Sequence, residues 1–285
     1  MEAGLVVAWS SGYIGARMAA DTASVLLVLF WRFVLVTLLL SPFVMLAARR
    51  GLSWSAVGHH ALVGALAMFG FLVLGVLAID LGVATGTAAL IAALQPLMTA
   101  ALVGPVLGQR VVARQWLGLA VGLGGILLAV GGAWGQAPPL AYLLSLASTA
   151  CLVAATLLAK ARPDSTALLP ALAIQSATTM LLILPLLWLV EGTLRPPAEA
   201  GFHYAVVWFV VFSTFGGYGF YWLCLKRSSA TRVGALIYLT PPVTMIWAWA
   251  LFAEALSLAA LGGFAFCLLG VALARDPKPA NQAVI

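Results

Sequence analysis

The sequence predicts an all-α membrane protein of ten transmembrane helices, arranged as two inverted five-helix repeats with both termini cytoplasmic. Three observations predict it: long apolar runs, basic residues gathered in alternate connections, and a match of the second half of the chain to the first. Of 285 residues, 64% are hydrophobic and 8% charged, with a mean hydropathy of +1.12, whereas soluble domains carry about a quarter charged residues. A bilayer core roughly 30 Å thick needs about 20 apolar residues per helix, so ten spans consume nearly the whole chain. β-barrel strands would be about half that length and would alternate in polarity.

The spans are read between breaks of charge, Gly and Pro. Ala3 to Ala20 comes first; it lacks the basic region of a secretory signal and resembles the later runs, so it is kept as an uncleaved helix. Ser24 to Ala48 is closed by Arg49 and Arg50, and Ala56 to Ile79 by Asp80. Ala84 to Leu107 and Trp116 to Trp134 flank a link holding Arg110 and Arg114. Pro138 to Ala159 ends at Lys160, Thr166 to Val190 at Glu191, and Phe202 to Leu225 at Lys226 and Arg227. Ala230 to Phe252 and Ala255 to Ala274 complete the series. With the N-terminus inside, the even-numbered connections and the C-terminus hold 11 of the 14 Lys and Arg residues, the other side holds Arg17 and Arg195, and Arg32 lies within a helix. Basic loops are retained in the cytoplasm, which fixes this orientation.

Sliding the sequence by 145 residues lays ATGTAALIAALQP, from Ala84, on SATRVGALIYLTP, from Ser229, without a gap. Pro96 then meets Pro241, Gln109 meets Glu254, Gly118 meets Gly263 and Gly125 meets Gly270. Residues 1–135 form the first repeat, 136–275 the second and 276–285 a cytoplasmic tail. Because five is odd, equivalent helices cross in opposite directions, as in alternating-access transporters with a solute site between the halves.

WSSGY in the first span, WRF in the second, LIAALQPL in the fourth, GQRVVARQWLGLAVGLGGILL around the fifth, then ALIYLTPPV and FAEALSLAALGGFAFCLLGVAL, resemble the drug/metabolite transporter superfamily, EamA type. The resemblance spans essentially the whole chain and is greatest to YddG-type exporters of aromatic amino acids. It implies an exporter of amino acids or related metabolites in the bacterial inner membrane. Gln109 departs from the Glu usual in the family before the fifth helix, which Glu254 keeps in the second half.

Candidate site residues follow from their positions. Pro96 and Pro241 interrupt equivalent helices, and Gln95 and Thr240 beside them lie roughly 15 to 17 Å from a helix end. They line a central cavity or mark a packing kink. Tyr218 and Trp222 share one face of the eighth span, Tyr238 lies on the ninth, and Trp9 and Tyr13 on the first, each a pocket wall or core packing. Ser10 lines the cavity or satisfies the preceding turn. Arg32, roughly 12 Å inside its span, attracts a substrate carboxylate or snorkels to the surface. Gly216, Gly217 and Gly219 permit bending during gating or close packing.

Other classes are excluded by what is missing. All eight Asp and Glu residues lie at helix ends or in loops, so carboxylate-based ion coupling is not expected. A single embedded Arg is too few for a phosphorylated dianion. Cys151, Cys224 and Cys267 lack metal-ligand spacing, His59 and His60 are read in a cytoplasmic connection, and no catalytic set appears, so no enzyme, metal or cofactor is expected. The net charge of +6 is spread over the links and forms no nucleic-acid patch. The partners expected are a small solute and the bilayer; a purine, sugar or drug-like cargo, or a non-transporting membrane role, are the alternatives.

Overall fold

The computed structural model describes residues 1–19, 23–130, 137–253 and 258–275, and among them all regular structure is helical. In chain order the helices are α1 (Glu2–Ser10 and Gly12–Ala19), α2 (Val25–Arg49), α3 (Trp54–Asp80), α4 (Thr85–Ala92 and Gln95–Leu107), α5 (Ala113–Val130), α6 (Pro139–Ala161), α7 (Leu168–Glu191), α8 (Ala200–Arg227), α9 (Ala230–Phe252) and α10 (Leu258–Leu273). Seven of them, α2 to α4 and α6 to α9, are long and apolar enough to cross a membrane. Their outer faces carry exposed Leu38, Leu181 and Leu189, at 64%, 60% and 82% accessibility, a surface suited to lipid rather than water.

Local chemistry explains the breaks. In α1 the hydroxyls of Ser10 and Ser11 donate back to the carbonyls of Val6, Val7 and Ala8, a pattern that bends helices, and the helix breaks at Ser11. In α4 and α9 the second helical stretch begins at Gln95 and at Thr240, which puts Pro96 and Pro241 in a first turn where a missing N–H costs nothing. The α3 helix starts two residues earlier than the sequence predicts because the Ser53 hydroxyl accepts from the Ala56 N–H. His59 and His60, read in a cytoplasmic connection although both fall within the Ala56 to Ile79 run, lie buried in the opening turns of α3. The expected end of α5 at Trp134, together with Glu254 and the tail 276–285, lies outside the described residues.

The 145-residue shift carries Gln95–Leu107 onto Thr240–Phe252, bound for bound. Both stretches end on a left-handed residue, Gly108 at φ 65° and Ala253 at φ 54°, the latter being the one non-glycine residue with positive φ among those described. The same shift places the π-helical turn Ala65–Gly70 of α3 inside the π-helical turn Phe209–Tyr218 of α8. The duplication thus extends one helix further than the sequence match reveals.

Packing respects the duplication. α2 lies on α7 and α5 on α10, while the contact of α1 with α8 is mirrored by that of α6 with α3. At the α5/α10 contact, a Cβ on Gly118 would meet the Gly270 carbonyl at 2.6 Å, and one on Gly125 the Gly263 carbonyl at 2.7 Å. As the chain ascends α5 its partners descend α10, so these two equivalent helices run antiparallel, with backbone against backbone. Lipid supplies no hydrophobic drive between helices, and small residues that allow such approach supply dispersion contact instead.

Gly118→Val is expected to lower stability by about 1 to 3 kcal/mol, because neither the Gly270 carbonyl nor the Ala274 amide, 2.7 Å from the added Cβ, is free to retreat. Gly124→Val, at a position open to space, is expected to stay within about 0.5 kcal/mol. Thermal unfolding of the two purified variants in detergent compares them; equal midpoints would contradict the packing described.

Candidate functional site

Polar groups inside a membrane bundle must find partners within the protein. Here they form a layer joined to aromatic rings. The Gln95 amide, just after the break in α4, donates to the Tyr221 hydroxyl at 3.2 Å, and that hydroxyl shares a 2.6 Å hydrogen bond with Thr156 of α6. The Trp9 ring lies 5.0 Å from Tyr221, 5.1 Å from Tyr218 and 6.2 Å from Phe71, centroid to centroid. The Tyr218 hydroxyl donates to the Ala67 carbonyl at 2.7 Å, inside the π-helical turn of α3. Wider spacing of backbone bonds in such a turn leaves a carbonyl for a side chain to take.

Arg32 joins this layer from α2. It is fully buried, its Nε donates to Thr214 at 2.8 Å, and its guanidinium carbon lies 4.9, 5.3 and 5.8 Å from the rings of Phe33, Phe209 and Tyr218. Among the described residues its Nη2 has no hydrogen-bond partner, and no carboxylate pairs with it. Ring faces attract a cation but do not replace a counter-ion.

Trp9, Arg32, Gln95, Tyr218 and Trp222 converge, whereas the other expected residues do not. Tyr238 is buried with its ring against Gly122 of α5, and its hydroxyl has no partner among the described residues. The hydroxyls of Thr240 and Ser10 donate to their own helices, to Ile237 and to Val6 and Val7. The Tyr13 side chain lies outside the described residues. A Cβ on Gly216 would meet Ala8 at 2.7 Å and one on Gly217 would meet Trp9 at 3.6 Å, so both glycines admit α1, while Gly219 has only its own helix nearby.

Below the layer a cavity of about 250 Å³ opens at the ends of α3, α6, α7 and α8. Trp222 and Gln175 close its inner end, with the indole N–H donating to the Gln175 side-chain oxygen at 3.0 Å. Tyr221 lies behind, its ring 5.2 Å from Trp222. Val63, Leu168, Ala171 and Leu225 supply an apolar wall, and His59, His60, Lys160, Arg162, Asp164 and Lys226 surround the mouth. The ammonium of Lys160 donates to the carbonyls of Leu225 and Ser228 at 2.7 and 2.8 Å, and that of Lys226 to Thr166 at 3.2 Å.

His59, His60 and Asp164 offer ligand atoms within 4.8 Å of one another. Three neighbouring cations oppose a dication there. His60 instead pairs with Asp164 at 2.9 Å, and the other carboxylate oxygen accepts from the Thr166 N–H at 2.9 Å. Sequence reasoning missed Tyr221, Thr156, Gln175 and Thr214; a search for amides and hydroxyls deep in the spans would have found the last three, while Tyr221 is masked by the aromatic run around it.

The comparisons bear on this geometry. No curated protein is matched by the chain. One solved structure, described only as "Crystal structure of protein", is similar with a TM-score of 0.80 at 19% identity, covering 96% of this chain and 95% of its own, a likeness of fold alone. The model of the EamA-like transporter family matches twice, over residues 3–131 and 139–275, once for each half. With nearly the whole length matched, and by a family of membrane transporters rather than enzymes, the chain belongs to the EamA-like transporter family.

Proposed function

We propose that the protein is an alternating-access exporter of amino acids, aromatic ones foremost, in the bacterial inner membrane. In this reading all ten helices span, residues 1–135 and 136–275 are the inverted repeats, and both ends and the tail 276–285 are cytoplasmic. The observation that carries it is the buried, anion-deficient guanidinium of Arg32 within an aromatic layer that also includes Trp9, Tyr218 and Tyr221. Such a site suits a solute with one carboxylate and a flat apolar body. Trp222 belongs both to this layer and to the cavity beneath, so a rotation of that indole links the two.

Unequal packing supports the alternating part. Gln95–Leu107 lies against Ala230–Leu236, with Pro96 facing Gly234, whereas the pair related by duplication, Thr85–Ala92 and Thr240–Phe252, makes at most a marginal contact among the described residues. Two equivalent contacts, one made and one parted, are what rocking halves present at one end of their motion. The closed pair lies toward Arg110 and Arg227, on the face that charge counting assigns to the cytoplasm.

Purified protein in liposomes is expected to support counterflow of labelled phenylalanine or tryptophan, competed better by aromatic than by aliphatic amino acids. Equal competition would remove the aromatic preference, and the absence of flux for any amino acid, nucleobase or sugar would overturn the transporter reading.

Arg32→Gln is expected to slow that flux by about tenfold or more, the effect of one charge-assisted contact, while leaving the melting temperature unchanged or raised because a buried cation without a counter-ion is gone. A lower melting temperature with flux retained would assign Arg32 to structure instead.

A further inference from the structure

The cavity at the ends of α3, α6, α7 and α8 has a composition that says which part of a solute it reads. Among the described residues lining it there are three permanent cations, Lys160, Arg162 and Lys226, against one carboxylate, Asp164. Asp164 accepts from the Thr166 N–H through Oδ1 at 2.9 Å, and its Oδ2, 2.9 Å from His60 Nε2, is buried within the protein. It is not available to a ligand ammonium. Lys226 is tied to one carbonyl, at 3.2 Å, and an ammonium has three donors, so its charge and two of its protons face the cavity mouth or solvent. Inward, the polar rim gives way to Val63, Leu168, Ala171 and the Trp222 indole. At about 250 Å³ the space is slightly below the roughly 300 Å³ typical of the smallest ligand sites, which limits it to one small solute.

We infer that this cavity is a capture site for small organic monoanions, which reads a carboxylate at its cationic rim and an apolar body against Trp222 and does not read an α-amine. The inference rests on the transport reading only in making the cavity an antechamber to the Arg32 layer. It adds that deaminated acids are ligands at least as good as the corresponding amino acids. A carboxylate entering at the rim meets charge-assisted donors, its apolar body replaces water along the inner wall, and an ammonium on the adjacent carbon meets three cations against one carboxylate, Asp164, whose Oδ2 is buried and whose Oδ1 already accepts from Thr166. The same balance of charge repels amines of identical shape. An anionic lipid headgroup is a poorer occupant, because the apolar wall lies within the helix bundle and not on its lipid face.

Calorimetric titration of the purified protein in neutral detergent, free of added lipid, tests this with four probes of similar bulk: 3-phenylpropionate, phenylalanine, phenethylamine and 3-phenylpropanol. 3-Phenylpropionate is expected to bind at least as well as phenylalanine, and phenethylamine and the alcohol roughly tenfold or more weakly than the acid, the worth of one charge-assisted hydrogen bond. Lys226→Gln keeps a donor for the Thr166 carbonyl and is expected to weaken the acid about tenfold without changing the alcohol, which also reports that the cavity is intact. Phenethylamine binding as tightly as the acid, phenylalanine binding far more tightly than 3-phenylpropionate, or an acid affinity indifferent to Lys226→Gln would each overturn the inference. Failure here is separable from failure of transport: flux of amino acids without acid binding removes the capture site alone, and acid binding without flux of any solute removes the transport reading alone.

Discussion

The structure depends on a contact made by the absence of side chains. Gly118 and Gly125 of α5 meet Gly270 and Gly263 of α10 so closely that a single added carbon would collide with a carbonyl. In water, two helices this apolar would be driven together by solvent; in lipid they are not, and only close approach of the backbones distinguishes the right partner from the surrounding chains. Because the residues in contact are equivalent members of two copies, each half presents to the other the surface that it receives. A two-fold contact of this kind is self-complementary, so one solution to the packing problem serves twice.

Given that frame, several polar groups are buried at low cost because they are placed against gaps in the backbone ladder. The break at Ser11 leaves carbonyls that Trp208, Thr244 and Trp247 take from α8 and α9, at 2.9 Å to Ser11, 3.1 Å to Ser10 and 3.2 Å to Val7. The π-helical turn of α3 gives Ala67 to Tyr218, and Phe71 beyond it gives its carbonyl to Ser148. Arg232, counted by charge as part of a connection, is buried in α9, where it binds Glu2 through two nitrogens and the Val271 carbonyl through a third. Irregular backbone and polar side chains thus appear together. Arg32 and Tyr238 stand outside this economy, each with a buried polar atom that has no partner among the described residues.

Much of the architecture was legible in the sequence because hydrophobic length and duplication are global signals. The position of each long apolar helix followed from its run, and the equivalence of Pro96 with Pro241 followed from the shift; the two helices restart at equivalent residues. The π-helical turns were not legible, since they arise from neighbours on other helices and leave no local motif. Of the residues singled out in the sequence, the fold brings together Trp9, Arg32, Gln95, Tyr218 and Trp222. Tyr238 shows the limit of reading a helical face, because facing inward brought its ring to Gly122 and not to the aromatic layer. The cavity mouth escaped notice for another reason: His60 and Asp164 lie more than a hundred residues apart and meet only through the fold.

The left-handed residues that end α4 and α9 differ in one respect that chain geometry makes consequential. Gly108 occupies a conformation that it can leave in several directions, whereas Ala253 sits in a narrow well about 1 to 2 kcal/mol above its right-handed alternative. Of two otherwise matched helix ends, the second therefore carries a backbone strain that the first does not.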